Sequence, residues 1–178
     1  LQRNHHSKLL AVRFMDIKQG AQANKNGKVV ERMLEPLFED SGFKVLSYSD
    51  ASKNPDLIKT LDRYVLKNVP FTTIYGSEGK TEFVIYDTKT ERSIRVESKY
   101  QATAGSVDEK YPYMLLNAIS QYPEKEVILI VDGGGYKPGS RQWLKTQLSS
   151  NWLNFKSSGK KIRLMYIAEF VNWFNHEF

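Results

Sequence analysis

Residues 127–131 read VILIV without a polar break, bounded by Glu126 on one side and by Asp132, Gly133, Gly134 and Gly135 on the other. A strand with one wet face alternates apolar and polar residues, so a continuous apolar run marks a strand buried on both faces. Helices must then cover both sides of the sheet that contains it, which makes the class α/β.

The rest of the chain divides around that strand. KVVERMLEPLFED (28–40) places Val30, Leu34, Leu37 and Phe38 at helical spacing, with Gly42 as a left-handed stop and Pro36 expected to kink the helix. FKVLSY (43–48) reads as a short strand. NPDLIKTLDRYVLKNVP (54–70) reads as a second amphipathic helix, capped by Asn54, opened by Pro55, with Leu57, Leu61, Tyr64 and Val65 on one side. FTTIYG, TEFVIY and RSIRVESKY are β-branched and aromatic runs separated by turn residues, and predict an antiparallel meander. Ser106 and Glu109 stand at capping-box spacing before a helix through Met114, Leu115, Ala118 and Ile119. SRQWLKTQL, KIRLMYIA and EFVNWFNHEF add a helix, a strand and a closing helix. Residues 1–178 are expected to form one α/β domain: helix, three-strand antiparallel meander, helix, strand, with a mixed sheet flanked by helices.

Bulk composition narrows the chemistry. A net charge of +6 and a pI near 9.3 are a modest vote for a polyanionic partner. With no cysteine, disulfides, thiolate zinc sites and thiol nucleophiles are excluded. No apolar run approaches the ~18 residues of a membrane span, and the first residues lack a secretory pattern, so a soluble, cytoplasmic protein is expected. Met15 can serve as a natural start, in which case residues 1–14 are vector-derived or an extension, and His5 and His6 carry no functional weight.

Side-chain chemistry concentrates in TEFVIYDTKTERSIRVESKYQ (81–101). An acid followed two residues later by lysine is common here, at Asp16/Lys18, Glu78/Lys80, Asp87/Lys89, Glu97/Lys99 and Asp108/Lys110, so context must choose among them. If the hairpin turns about Lys89 and Thr90, Glu82 lies opposite Glu97. Phe83, Ile85, Ile94 and Val96 then form an apolar face, and Glu82, Val84, Tyr86, Ser93, Arg95, Glu97, Lys99 and Gln101 share the other. The two carboxylates would stand about 5 Å apart at Cβ. Parity puts Asp87 on the apolar side, as a turn residue. Like charges facing one another need a positive group between them, and a divalent cation with oxygen ligands is one such group. Mg²⁺ on Glu82 and Glu97, with Lys99 at the attacking water, describes phosphodiester hydrolysis. The simpler outcome is a solvated face on which Arg95 and Lys99 pair with the two glutamates.

This pattern resembles the PD-(D/E)XK nuclease superfamily, which includes restriction endonucleases and junction resolvases. The resemblance runs from Lys28 to Asp132, in the order helix, three strands, helix, strand, and implies a restriction-endonuclease-like core. Glu97 and Lys99 of VESKYQ fill the (D/E)XK positions, Gln101 stands where several branches place an auxiliary glutamine, and Glu82 takes the upstream acid, within TE rather than PD. Glu31 matches an acid that members contribute from the first helix. The resemblance implies a DNA endonuclease of restriction-enzyme or phage type, dependent on Mg²⁺ with Mn²⁺ as a substitute, and acting as a homodimer. The rival is a non-catalytic nucleic-acid-binding or assembly protein of the same fold.

DGGGYKPGSRQW (132–143) lacks the Gly-Lys-Ser/Thr ending of a P-loop and the spacing of a dinucleotide fingerprint. It reads either as a flexible connection or as a loop whose amides approach a phosphate. Lys137, Arg141 and Lys145, at four-residue steps, either extend a phosphate contact along a duplex or form a solvated basic helix face. Trp143, Trp152, Trp173 and His176 show no distinguishing pattern.

Overall fold

The computed structural model describes residues 26–104 and 107–178, so the expectations for residues 1–14 and for Ser106 lie outside the described residues. Its centre is a six-stranded mixed sheet in the order β1-β2-β3-β4-β5-β6, formed by Lys44–Ser47, Arg63–Thr72, Glu78–Asp87, Arg92–Tyr100, Glu126–Asp132 and Lys161–Met165. The β2–β3–β4 meander is antiparallel, and the β1/β2, β4/β5 and β5/β6 pairs are parallel. Helices α1 (Asn26–Asp40), α2 (Tyr48–Lys53), α3 (Pro55–Lys59), α4 (Tyr111–Ser120), α5 (Pro138–Ser149) and α6 (Ile167–Glu177) cover it. The predicted α/β class and element order hold, and no described helix is long and apolar enough to cross a membrane.

Burial on both faces of β5 organises the layers. Ile128 and Ile130 point into a core with Val30, Leu34 and Phe38 of α1 and Phe170 and Phe174 of α6, and this core also takes Phe83, Ile85, Ile94 and Val96 of the hairpin. Val127, Leu129 and Val131 point the opposite way, against Met114 and Leu115 of α4 and Leu144 of α5. On that second face, the β1–β3 half of the sheet is covered instead by α2 and α3, around Tyr64, Leu66 and Val84. The α1 stripe is as predicted, and Gly42 ends the helix at φ +83°.

Residues 54–70 do not form one helix. After α3 the chain enters β2, with Val65 buried toward α1 and Tyr64 and Leu66 buried toward α2. A strand buried on both faces supplies apolar residues at spacings that also fit a helix, and the β-branched and aromatic residues here follow the strand. FTTIYG is therefore the end of β2 and its turn rather than a separate strand. Downstream, the α4 helix starts at Tyr111 after a 3₁₀ turn over Val107–Lys110, with no side-chain cap.

One charged cluster clamps the distal end. Glu126 receives hydrogen bonds from Arg92 Nε at 2.7 Å and Nη2 at 2.9 Å and from Arg163 at 3.1 Å, and Arg92 also reaches Glu177 of α6 at 2.8 Å. The Arg92 hydrogen bonds hold the Glu126 carboxyl below the usual carboxylate range despite its partial burial. A depressed carboxylate adds stability above its unfolded pKa and loses it as pH falls through the folded one. Glu126→Gln should therefore lower stability by about 1–3 kcal/mol at pH 7. The gap from the parent should close below about pH 4; urea unfolding across a pH series measures both.

Candidate active site

Pairing between β3 and β4 follows the register that a turn at Lys89 and Thr90 dictates: Phe83 faces Val96, Ile85 faces Ile94 and Asp87 faces Arg92. Asp87 closes the turn by accepting from the backbone N–H groups of Lys89 at 3.1 Å and Thr90 at 3.3 Å. Past Phe83 and Val96 the strands part. β3 stays with β2 down to the Glu78/Thr72 rung, and β4 stays with β5 up to the Tyr100/Asp132 rung. Glu82 and Glu97 are the first residues beyond the last shared rung, so they stand at the crotch of a fork.

A break in β2 and β3 sits at the same level. The ladder between them omits Asn68 and Glu82, and Asn68 adopts φ +55°. Beyond it the alternation inverts: Val69 packs with Tyr64 and Leu66 rather than with Val65, and the Thr81 hydroxyl receives a hydrogen bond from Arg95 at 3.0 Å. Freed from both ladders, Glu82 turns its carboxylate across the fork and accepts from the Ser98 N–H at 2.8 Å and from its own N–H. Burial, and Glu97 beside it, push the Glu82 carboxyl up to about 7 against the opposing pull of Lys99 and these hydrogen bonds.

Glu97 is buried, ion-paired with Lys99, and receives the Tyr122 hydroxyl at 3.4 Å. The Lys99 Nζ also donates to the Ser98 carbonyl at 3.0 Å, while its side chain keeps 23% of its surface exposed. Burial works against its charge, but Glu97 and Glu82 outweigh burial and hold the ammonium above the ordinary lysine range. Lys99 is the one of the two predicted cations that joins the glutamates. Arg95 does not, because Glu124 takes it in a two-pronged pair at 2.5 and 3.0 Å, with the guanidinium over the Tyr122 ring 5.0 Å from its centroid. This face is not simply solvated: Val84, Arg95 and Glu97 are buried, and Glu82 and Lys99 are half-buried. The Lys160 ammonium fixes the loop that supplies Tyr122 and Glu124 by donating to both their backbone carbonyls.

Gln101 lies at the far end of β4, buried, with its Nε2 donating to the Gly135 carbonyl at 3.1 Å and its own carbonyl accepting from the Gly135 N–H at 2.8 Å. The glycine segment is thus a close-packed edge rather than a loose connection: a Cβ on Gly133 would meet the Gln101 carbonyl oxygen at 2.4 Å. Of the three basic residues, Lys137 and Lys145 are exposed, but Arg141 is buried with its guanidinium 3.5 Å from the Tyr166 ring centroid and 3.8 Å from Glu169. An open depression of about 330 Å³ lies there, lined by Gly134, Tyr136, Arg141, Lys145 and Tyr166, and includes none of the fork residues. Glu31 is half-buried on α1, which packs on the opposite face of the sheet. Among the described residues no three His, Asp or Glu side chains gather closely enough to hold a metal, so Glu31 is not brought to the Glu82/Glu97 pair.

Two residues join the site that sequence spacing did not single out. Tyr122 holds Glu97. Tyr111 is fully buried with its hydroxyl unpartnered, and burial, with Tyr136 and Asp108 near, raises that hydroxyl's pKa; Lys99 is within its electrostatic reach. Ser98 Oγ and Asp108 Oδ1 are likewise buried without a partner. Tyr111 opens α4 and Tyr122 follows its end, both on the side of the helix that packs on the sheet, and only the fold brings them over β4.

The profile of the PD-(D/E)XK nuclease superfamily domain matches residues 22–178. No curated protein and no solved structure matches the chain.

The division of labour along β4 has a direct test. Arg95→Ala strands the buried Glu124 carboxylate and should destabilise the protein by about 3–5 kcal/mol in denaturant unfolding, whereas Lys99→Ala should cost less, because Glu82, its carboxyl pushed up to about 7, can take a proton beside Glu97 in place of the ammonium.

Proposed function

Because the chain belongs to the PD-(D/E)XK nuclease superfamily, we propose that it is a divalent-metal-dependent DNA endonuclease of restriction-enzyme or phage type, with its active site in the fork between β3 and β4. The observation that carries this reading is the convergence of Glu82, Glu97 and Lys99 where the two strands separate. Two carboxylates in mutual repulsion, one of them pushed up to about 7, form a hard oxygen donor set that suits Mg²⁺ or Mn²⁺. Mg²⁺ commonly takes only one or two protein carboxylates and fills its remaining positions with water and phosphate, so a pair of acids, with no third gathered to it among the described residues, suffices for it.

A cation on Glu82 and Glu97 would lower the pKa of the attacking water and offset charge developing on phosphorus. The protein's own groups do the positioning. The Ser98 N–H fixes the rotamer of Glu82, and the Tyr122 hydroxyl does the same for Glu97. Lys99, held protonated, serves as a hydrogen-bond donor to the water or to a phosphate oxygen rather than as the base. Gln101 sets the far edge of β4 against the glycine segment. Lys137 and Lys145 supply phosphate contacts outside the fork, and a homodimer supplies the second centre that cutting both strands requires. The Lys99–Glu97 ion pair also suits a non-catalytic nucleic-acid-binding protein of the same fold, and cleavage separates the two.

On supercoiled DNA with Mg²⁺, Lys99→Ala and Glu97→Gln should each cut at least about 10²-fold more slowly than the parent, with unchanged circular dichroism. Equal cutting by all three would end the catalytic assignment. Calorimetric titration with Mn²⁺ should show binding that Glu82→Ala removes; undiminished binding would take Glu82 out of the metal site. Lys145→Ala should weaken DNA binding evenly across sequences and reduce the salt slope by about one.

A further inference from the structure

The turn joining β2 to β3 (residues 73–77) carries Tyr75 at its tip, 78% exposed. An isolated exposed aromatic needs no explanation. This one is held in place. The Thr73 N–H donates to the Ser77 carbonyl and the Gly76 N–H to the Thr73 carbonyl, both at 2.8 Å, and the hydroxyls of Thr73 and Ser77 meet at 2.9 Å. Gly76, at φ +76°, allows the tight return. The turn is also fastened to α4: the Ile74 N–H donates to Asn117 Oδ1 at 2.9 Å, and Asn117 Nδ2 donates to the Tyr113 carbonyl at 2.9 Å. The Tyr75 ring stacks on the Tyr113 ring, centroids 5.3 Å apart and planes 23° from parallel. One face of Tyr75 is backed by protein, and the other is presented to solvent on a backbone already ordered. A group ordered in advance loses little entropy on binding.

Placement and charge indicate what this ring takes. Helix α4 opens with Tyr111, whose buried hydroxyl lies within electrostatic reach of Lys99. Tyr113 is two residues on, roughly 200° around the helix and so turned away from Tyr111, while the turn that carries Tyr75 closes the β2–β3 arm of the fork, at the end of the strand that holds Glu82. Exposed Lys110 precedes Tyr113 by three residues, one turn away on the same side. A flat ring with an open face and a cation one helical turn away match a nucleotide: base on the ring, phosphate near the ammonium. Within a duplex the faces of a base are covered by its neighbours. Apart from the outermost pair of a blunt end, only an unpaired base has a face to offer. Resting on the nuclease reading, we propose that Tyr75, backed by Tyr113, stacks on an unpaired nucleobase beside the fork, so that the preferred substrate carries a single-stranded tail, flap or gap.

The test is fluorescence anisotropy of the full chain, in chelator, with a blunt duplex and with the same duplex bearing a single-stranded flap, for the parent, Tyr75→Ala and Tyr75→Phe. The parent should bind the flapped DNA roughly tenfold more tightly than the blunt one. Tyr75→Ala should lose that factor on flapped DNA alone, and Tyr75→Phe should keep it. Quenching of a 2-aminopurine in the flap should follow the same order. Equal affinity of parent and Tyr75→Ala for the flap, or equal loss on both DNAs, overturns the proposal. So does a change in sedimentation behaviour of Tyr75→Ala, which would assign the ring to a second copy of the chain. Cleavage of DNA by a Tyr75→Ala variant with unaltered flap preference removes the stacking site and leaves the nuclease reading intact. A parent protein that neither binds nor cuts any of these DNAs removes both.

Discussion

Where β3 and β4 stop bonding to each other, each strand is left with backbone polar groups that must be satisfied in some other way. β4 solves this on one side by pairing with β5, and β3 by pairing with β2. At the crotch itself the solution is a side chain: the Glu82 carboxylate takes the Ser98 N–H in place of a strand carbonyl. That substitution brings a carboxylate inward, next to Glu97, at a place where burial makes charge expensive. The fork, its acids and its lysine are consequences of one interrupted ladder. The interruption in β2 at Asn68 belongs to the same event, because it lets both strands of the outer arm invert their faces together.

Two cations four residues apart on β4 show how partners assign roles. Arg95 lies deep and is fully engaged by Glu124, Thr81 and the Tyr122 ring, which makes it a fastener between the sheet and the loop after α4. Lys99 lies at the mouth, shares Glu97, and keeps part of its surface open. The geometry suits the chemistry of each side chain. A guanidinium can fill a fork of fixed acceptors, whereas an ammonium on a flexible stem can trade one partner for another.

The hairpin register is readable because its turn residues and its alternation agree, and a one-residue slip would turn Phe83 and Ile94 away from the α1 core and onto the charged face. Local chemistry also identified Asp87 as a turn residue. Residues 54–70 carry a helical spacing that holds only over Pro55–Lys59, because from Arg63 a strand covered on both sides has no polar face to reveal its period. Arg141 stood in a regular series with Lys137 and Lys145, but Tyr166 and Glu169 approach from elements far along the chain and bury it. Nothing in the spacing of Glu124, Tyr122 or Tyr111 announced that they would lie over β4.

Local periods and turns, each within about twenty residues, are enough to specify the α/β class, the strand buried on both faces, the hairpin register and the grouping of Glu82, Glu97 and Lys99. The opening of the ladder at Glu82, the capture of Arg95 by Glu124 and the placing of α1, with Glu31, on the other side of the sheet arise instead from the packing of layers. Those outcomes depend on which layers meet, and the contacts that settle them join residues with no fixed spacing along the chain.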